Sequence, residues 1–234
     1  MELSLLGAAL VAVGAMYGVL RWEAGRTNAA DCTRALWDAL LGGAIAGLAA
    51  GRIATLIGDG INPLAHPMDT LIVRGGVDTG FASLAALGTL ALMLRRLDGG
   101  AWSALDAAAP AALAGLAGWH GGCVVRDACL GTVTDLPWGV AQAGSGIARH
   151  PVEIYTAVVL VVAVIGLVVW KRRRPGAGVV AGVALAAAAG IRLATEPMRL
   201  AVGSRPSAWY AAGLAAGVAV AAWRLRRGPA SSPG

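Results

Sequence analysis

The chain has 234 residues, of which 57% are hydrophobic and 14% charged, and a formal net charge of +6. A soluble domain carries about 25% charged residues, so that class is disfavoured. The basic residues fall in short runs between long apolar segments rather than on one polar face, a pattern that argues against nucleic acid and for a membrane.

Alanine, glycine, leucine and valine dominate. Small residues suit membrane helices, whose backbones must approach closely because no hydrophobic effect drives association in lipid. A GC-rich genome would give the same bias, and Lys171 is the sole lysine.

Apolar stretches lie at about 3–20, 37–57, 79–94, 105–125, 152–170, 177–196 and 207–223, most of them near the roughly 20 residues that cross a bilayer. The first has no basic run before it and no convincing cleavage site, which predicts a retained helix rather than a secretion signal. The second contains the small-residue run LLGGAIAGLAAG ahead of Arg52. The third is short, and the fourth contains Pro110, His120 and several glycines. Such interruptions are tolerated at membrane depth where the backbone lines a cavity or is buried in protein. Residues 126–151 show no periodicity, as expected of a functional or mobile connection.

The expectation is an all-α, polytopic integral membrane protein of about seven transmembrane helices, one domain over residues 1–227 with a disordered cytoplasmic tail at 228–234. With the N-terminus outside, twelve lysines and arginines fall in cytoplasmic loops and five in outer ones, leaving Arg52 and Arg192 within helices. That asymmetry obeys the positive-inside rule and predicts an N-out, C-in arrangement.

Arginines at membrane depth cost a few kcal/mol and usually face the bundle interior with a partner. Glu196 and Arg199 follow Arg192 by four and seven residues, which predicts that all three share one helical face. Two readings stand: a helix-end ion pair with a snorkelling arginine, or an anion site in which Glu196 orients the guanidiniums and a surplus positive charge receives a phosphate. On the same outer side lie His120, Arg126, Asp127, Asp135, Arg149, His150 and Glu153. A lone histidine is more often structural, but together with Arg199 these residues make an outer site flanked by Arg126, Arg149 and Arg199 that fits a phospholipid headgroup. Cys32, Cys123 and Cys129 form neither a disulfide framework nor a zinc spacing; small apolar packing residues are the bland reading, and pairing of Cys123 with Cys129 is left open. No HExxH, CxxC or EF-hand pattern suggests a metal, and no GxSxG or glycine-rich phosphate loop suggests hydrolase or nucleotide chemistry.

The string GGCVVRDACLGTVTDLPW at 121–138 resembles the outer-surface segment of prolipoprotein diacylglyceryl transferases. RHPVEIYTA at 149–157 is similar to that family's RHPxQxYEA, and IRLATEPMR at 191–199 to its RFxxExxR. LDAAAPAALAG at 105–115, GGAIAGLAAGR at 42–52 and INPLAHPMDTLIVRGG at 61–76 resemble its remaining helices and outer connection, so the likeness covers about residues 35–200 in order.

The resemblance implies transfer of the diacylglyceryl group of phosphatidylglycerol to the lipobox cysteine thiol of a prolipoprotein signal peptide in the bacterial cytoplasmic (inner) membrane, with release of glycerol phosphate and no cofactor. It assigns His120, Arg192 and Glu196 to catalysis and Arg126, Arg149, His150, Tyr155 and Arg199 to the headgroup. It also implies departures. His120 stands where the family signature begins with arginine, and Gly80 where a thiol-assisting histidine is usual. These leave room for an impaired paralogue that binds phospholipid or signal peptide, or for transfer to a different acceptor.

Overall fold

The computed structural model describes residues 2–27, 30–65, 77–97, 100–126, 129–141, 144–173, 175–200 and 206–227. It is all-helical apart from one short sheet. In chain order the elements are α1 (Glu2–Thr27), α2 (Ala30–Gly58), α3 (Thr79–Leu94), α4 (Ala101–Gly121), α5 (Cys123–Arg126), β1 (Val140–Ala141), β2 (Ala148–Arg149), α6 (Val152–Lys171), α7 (Val179–Thr195), a 3-10 turn (Glu196–Met198) and α8 (Ser207–Arg227). Among the described residues four helical spans are long and apolar enough to cross a membrane: Thr33–Gly58, Val152–Lys171, Val179–Met198 and Ser207–Arg227. Thr79–Leu94 is apolar but shorter. The tail at 228–234 and most of the connection at 61–76 lie outside the described residues.

The chain forms two compact units, one of residues 1–28 with 106–234 and one of residues 29–105. In the second, α2 packs on α3 through its glycines: a methyl group at Gly47 would lie 2.8 Å from the Ala82 carbonyl, and one at Gly51 2.8 Å from the Ala82 methyl. Asp78 caps α3 by accepting from the Phe81 amide at 2.9 Å, and buried Arg52 belongs to this unit.

In the first unit Leu113, Ala114 and Ala117 of α4, Leu160, Val164, Leu167 and Val168 of α6, and Val180 and Ala184 of α7 make one apolar core. Helix α8 lies against α7 with Gly182 facing Gly217, where a methyl group on Gly182 would meet the Gly217 carbonyl at 2.9 Å. The start of α7 is capped from a distance. Its N-cap is Gly178, which has no side chain to offer, and the Asp106 carboxylate of α4 instead accepts from the amides of Gly178 and Ala181, both at 2.7 Å. First-turn amides have no partner within the helix, and a span has no water to supply one, so Asp106 is buried for a physical reason. Nearby, Lys171 pairs with Glu23 at 2.8 Å, tying α6 to α1.

At the other end of these helices residues 131–141 and 144–150 are joined by non-local pairing. Backbone hydrogen bonds join Thr134 to Ala148 and His150 to Thr132, while β1 pairs antiparallel with β2. Cys123 and Cys129 are disulfide-bonded across α5. Thus a segment without periodicity in the sequence folds as a small sheet, its hydrogen bonds being non-local.

Candidate functional site

Three chain segments meet at this end. Helix α4 ends with His120, exposed by only 5%. Helix α6 begins behind Pro151, whose ring disfavours helix at the residue before it, so His150 belongs to the extended segment and Glu153 falls in the first helical turn. Helix α7 carries Arg192 in its last turn and stops at Thr195. Pro197 explains the stop: it has no N–H to continue the ladder. The chain then makes a 3-10 turn and leaves Arg199 extended, bridged in antiparallel fashion to Gly131.

This corrects one expectation. Arg192, Glu196 and Arg199 do not share a helical face, and Glu196 is not the chief partner of the guanidiniums. That partner is Glu153. His120 Nδ1 contacts Glu153 Oε2, Arg199 Nη2 lies 2.5 Å from Glu153 Oε1, and Arg192 Nη1 lies 4.0 Å from Glu153 Oε2. Glu196 is only 3.9 Å from Arg199 Nε. Arg192 is instead held by Tyr210 of α8, whose hydroxyl accepts from Nη2 at 2.9 Å and from Nε at 3.3 Å. Arg192 and Arg199 thus have two carboxylates beside them, Glu153 and Glu196, rather than the single one expected from the sequence.

Among the described residues, the buried side-chain polar atoms lacking a hydrogen-bond partner are His120 Nε2, His150 Nδ1, Arg192 Nη1, Glu196 Oε2 and Arg199 Nη1. All belong to residues at this end of the bundle. Buried polar groups are nearly always satisfied, so such a concentration leaves donors and acceptors here open to water or a ligand. The two guanidinium nitrogens are donors suited to phosphate oxygens.

The other expected residues are spread around this cluster. Arg149 Nη1 donates to the Gly131 carbonyl at 3.3 Å. His150 stands edge-on to Tyr155, centroids 6.2 Å apart, and the Tyr155 hydroxyl accepts from Trp138 Nε1 at 2.8 Å. Arg126 closes the short helix α5, and its side chain lies outside the described residues. Asp135 is exposed. Gly80 sits at the start of α3, in the other unit. The residues that sequence reasoning undervalued are Glu153 and Tyr210. An acid in the first turn of an apolar 20-residue span signals the former; no local signal links Tyr210 to Arg192.

Helices of membrane-spanning length that gather a buried carboxylate, a buried histidine and two part-buried arginines at one end define a polytopic membrane protein. The sequence profile of prolipoprotein diacylglyceryl transferases matches residues 4–224, and the chain belongs to that family. It is 35% identical over 146 residues to the phosphatidylglycerol-prolipoprotein diacylglyceryl transferase of Solidesulfovibrio magneticus, covering 58% of this chain and 54% of that protein. It is 32% identical over 171 residues to the one from Geobacter sulfurreducens, covering 71% and 65%. Against the one from Cupriavidus necator it is 33% identical over 216 residues, covering 84% and 78%. The matches thus span about half to two thirds of the first two relatives and more of the third.

Proposed function

We propose that the chain is a phosphatidylglycerol-prolipoprotein diacylglyceryl transferase of the bacterial inner membrane, arranged N-out and C-in as one seven-span domain over residues 1–227, with the site at the outer leaflet. In this reading the lipobox cysteine thiol attacks the glyceryl carbon of phosphatidylglycerol, and glycerol phosphate leaves. The observation that carries it is the convergence of Arg192 and Arg199 on Glu153, each with a buried Nη1 that makes no hydrogen bond. As the carbon–oxygen bond breaks, the phosphate goes from one negative charge to two. Fixed guanidiniums stabilise that change most where water is excluded. His120, Arg192 and Glu196 belong to the reacting centre, and Arg126, Arg149, His150, Tyr155 and Arg199 to the headgroup site. Glu153 and Tyr210 hold the guanidiniums in place.

A second reading, a paralogue that binds phospholipid or signal peptide without transfer, is favoured by Gly80, which offers no base at the start of α3. Expression in cells depleted of their own transferase separates the two. Diacylglyceryl-modified prolipoprotein, reduced at least roughly 100-fold by Arg192→Ala, supports transfer. No modification, with retained binding of phosphatidylglycerol, supports the second reading.

A further inference from the structure

We infer that His120 and Glu153 form a proton-accepting dyad for the acceptor thiol, with Glu153 as the positioning residue; the inference rests on the transferase reading.

His120 Nδ1 contacts one oxygen of Glu153, whose other oxygen takes Arg199. A carboxylate only accepts, so a neutral His120 must carry its proton on Nδ1 and its lone pair on Nε2. Nε2 is the atom left buried without a partner. This is the arrangement of a base with an orienting carboxylate, in which the carboxylate sets the tautomer and steadies the imidazolium that forms.

The charges around the dyad give the arrangement a second consequence. The groups facing His120 are Glu153 from α6, Arg192 from α7 and Arg199 beyond the 3-10 turn, with Glu196 beside Arg199. Protonation of His120 adds one positive charge to this cluster. In the reaction the thiol proton moves to Nε2, the sulfur pair forms the carbon–sulfur bond, and the carbon–oxygen bond breaks with its pair left on the phosphate. The site therefore gains a positive charge in the step that makes the phosphate doubly negative. The imidazolium then returns its proton to the departing phosphate monoester, which restores the base. Attraction that grows along the reaction coordinate lowers the barrier without tightening substrate binding.

The measurement uses the full chain in phosphatidylglycerol vesicles with two lipobox peptides, one bearing cysteine and one selenocysteine. A selenol is largely ionised at neutral pH and needs little help from a base. Wild type is expected to modify both peptides. His120→Gln is expected to lose on the order of 10²–10³-fold in kcat with the cysteine peptide and under about tenfold with the selenocysteine peptide, whereas Glu153→Gln, which also loosens Arg199, is expected to raise KM for phosphatidylglycerol with both peptides and to lose more kcat with the cysteine one. Equal losses on both peptides, or none, overturn the dyad and leave the transferase reading standing. Failure of wild type to modify either peptide overturns both. Nitrogen NMR of ¹⁵N-histidine-labelled wild type supplies a test that does not depend on the variants folding: an unprotonated Nε2 at His120 is expected, and a neutral ring protonated at Nε2 overturns the assignment.

Discussion

At Glu153 two carboxylate oxygens face three groups from three segments, contacting His120 and Arg199 and lying 4.0 Å from Arg192. Glu153→Ala therefore removes the carboxylate that holds His120 and Arg199, leaving Arg199 only Glu196 at 3.9 Å, and losing the partner of such part-buried groups costs about 1–3 kcal/mol. Thermal unfolding in detergent is expected to fall accordingly, whereas an unchanged midpoint would show that the arginines find other partners. Tyr210→Phe removes the hydroxyl that receives two Arg192 nitrogens; about 1 kcal/mol of orientation is lost, read as a several-fold rise in KM for phosphatidylglycerol. Arg192 was visible in the sequence because an arginine inside an apolar run demands a partner. The identity of that partner was not. The choice of Glu196 assumed helical continuation through Pro197, while Glu153, distant in sequence, is brought in by the packing of α6.

The helical elements were legible from hydropathy because each is a long apolar run, and their ends were less so where a single backbone group decides. Pro197 stops α7 by withholding one N–H, and the Gly178 start is made good by Asp106 from another helix. Asp106→Ala leaves two first-turn amides of α7 unpaired in a dry setting. A loss of about 1–2 kcal/mol is expected by thermal unfolding, against no change if water can enter. The α7–α8 contact is set by Gly182 and Gly217, whose backbones meet where side chains would collide. Gly217→Val should force the helices apart and cost about 1–3 kcal/mol, and because Arg192 and Tyr210 lie on these two helices, transfer activity should fall with stability. Gly131 is constrained in the same way, since a methyl group there would run into the Met198 carbonyl and Val152. The small sheet of β1 and β2 was not legible, because its strands are two residues long and their pairing is non-local.

At the scale of the whole molecule, the distribution of positive charge predicts that the site faces outward. Arg172 and Arg173, between α6 and α7, then lie on the cytoplasmic side, opposite the end that carries His120 and Glu153. A fluorescent-protein fusion after Arg173 should be bright and an alkaline-phosphatase fusion there inactive; the reverse would turn the protein over and place the site on the wrong leaflet for a secreted acceptor. The central claim is that one buried cluster of arginines, glutamate and histidine carries diacylglyceryl transfer. Mass spectrometry of a lipobox peptide incubated with the purified full chain and phosphatidylglycerol tests it directly. The expected result is a diacylglyceryl adduct on the cysteine matched by equimolar glycerol phosphate and lost with Arg199→Ala. Glycerol phosphate released without peptide modification, or an adduct indifferent to Arg199, would contradict it.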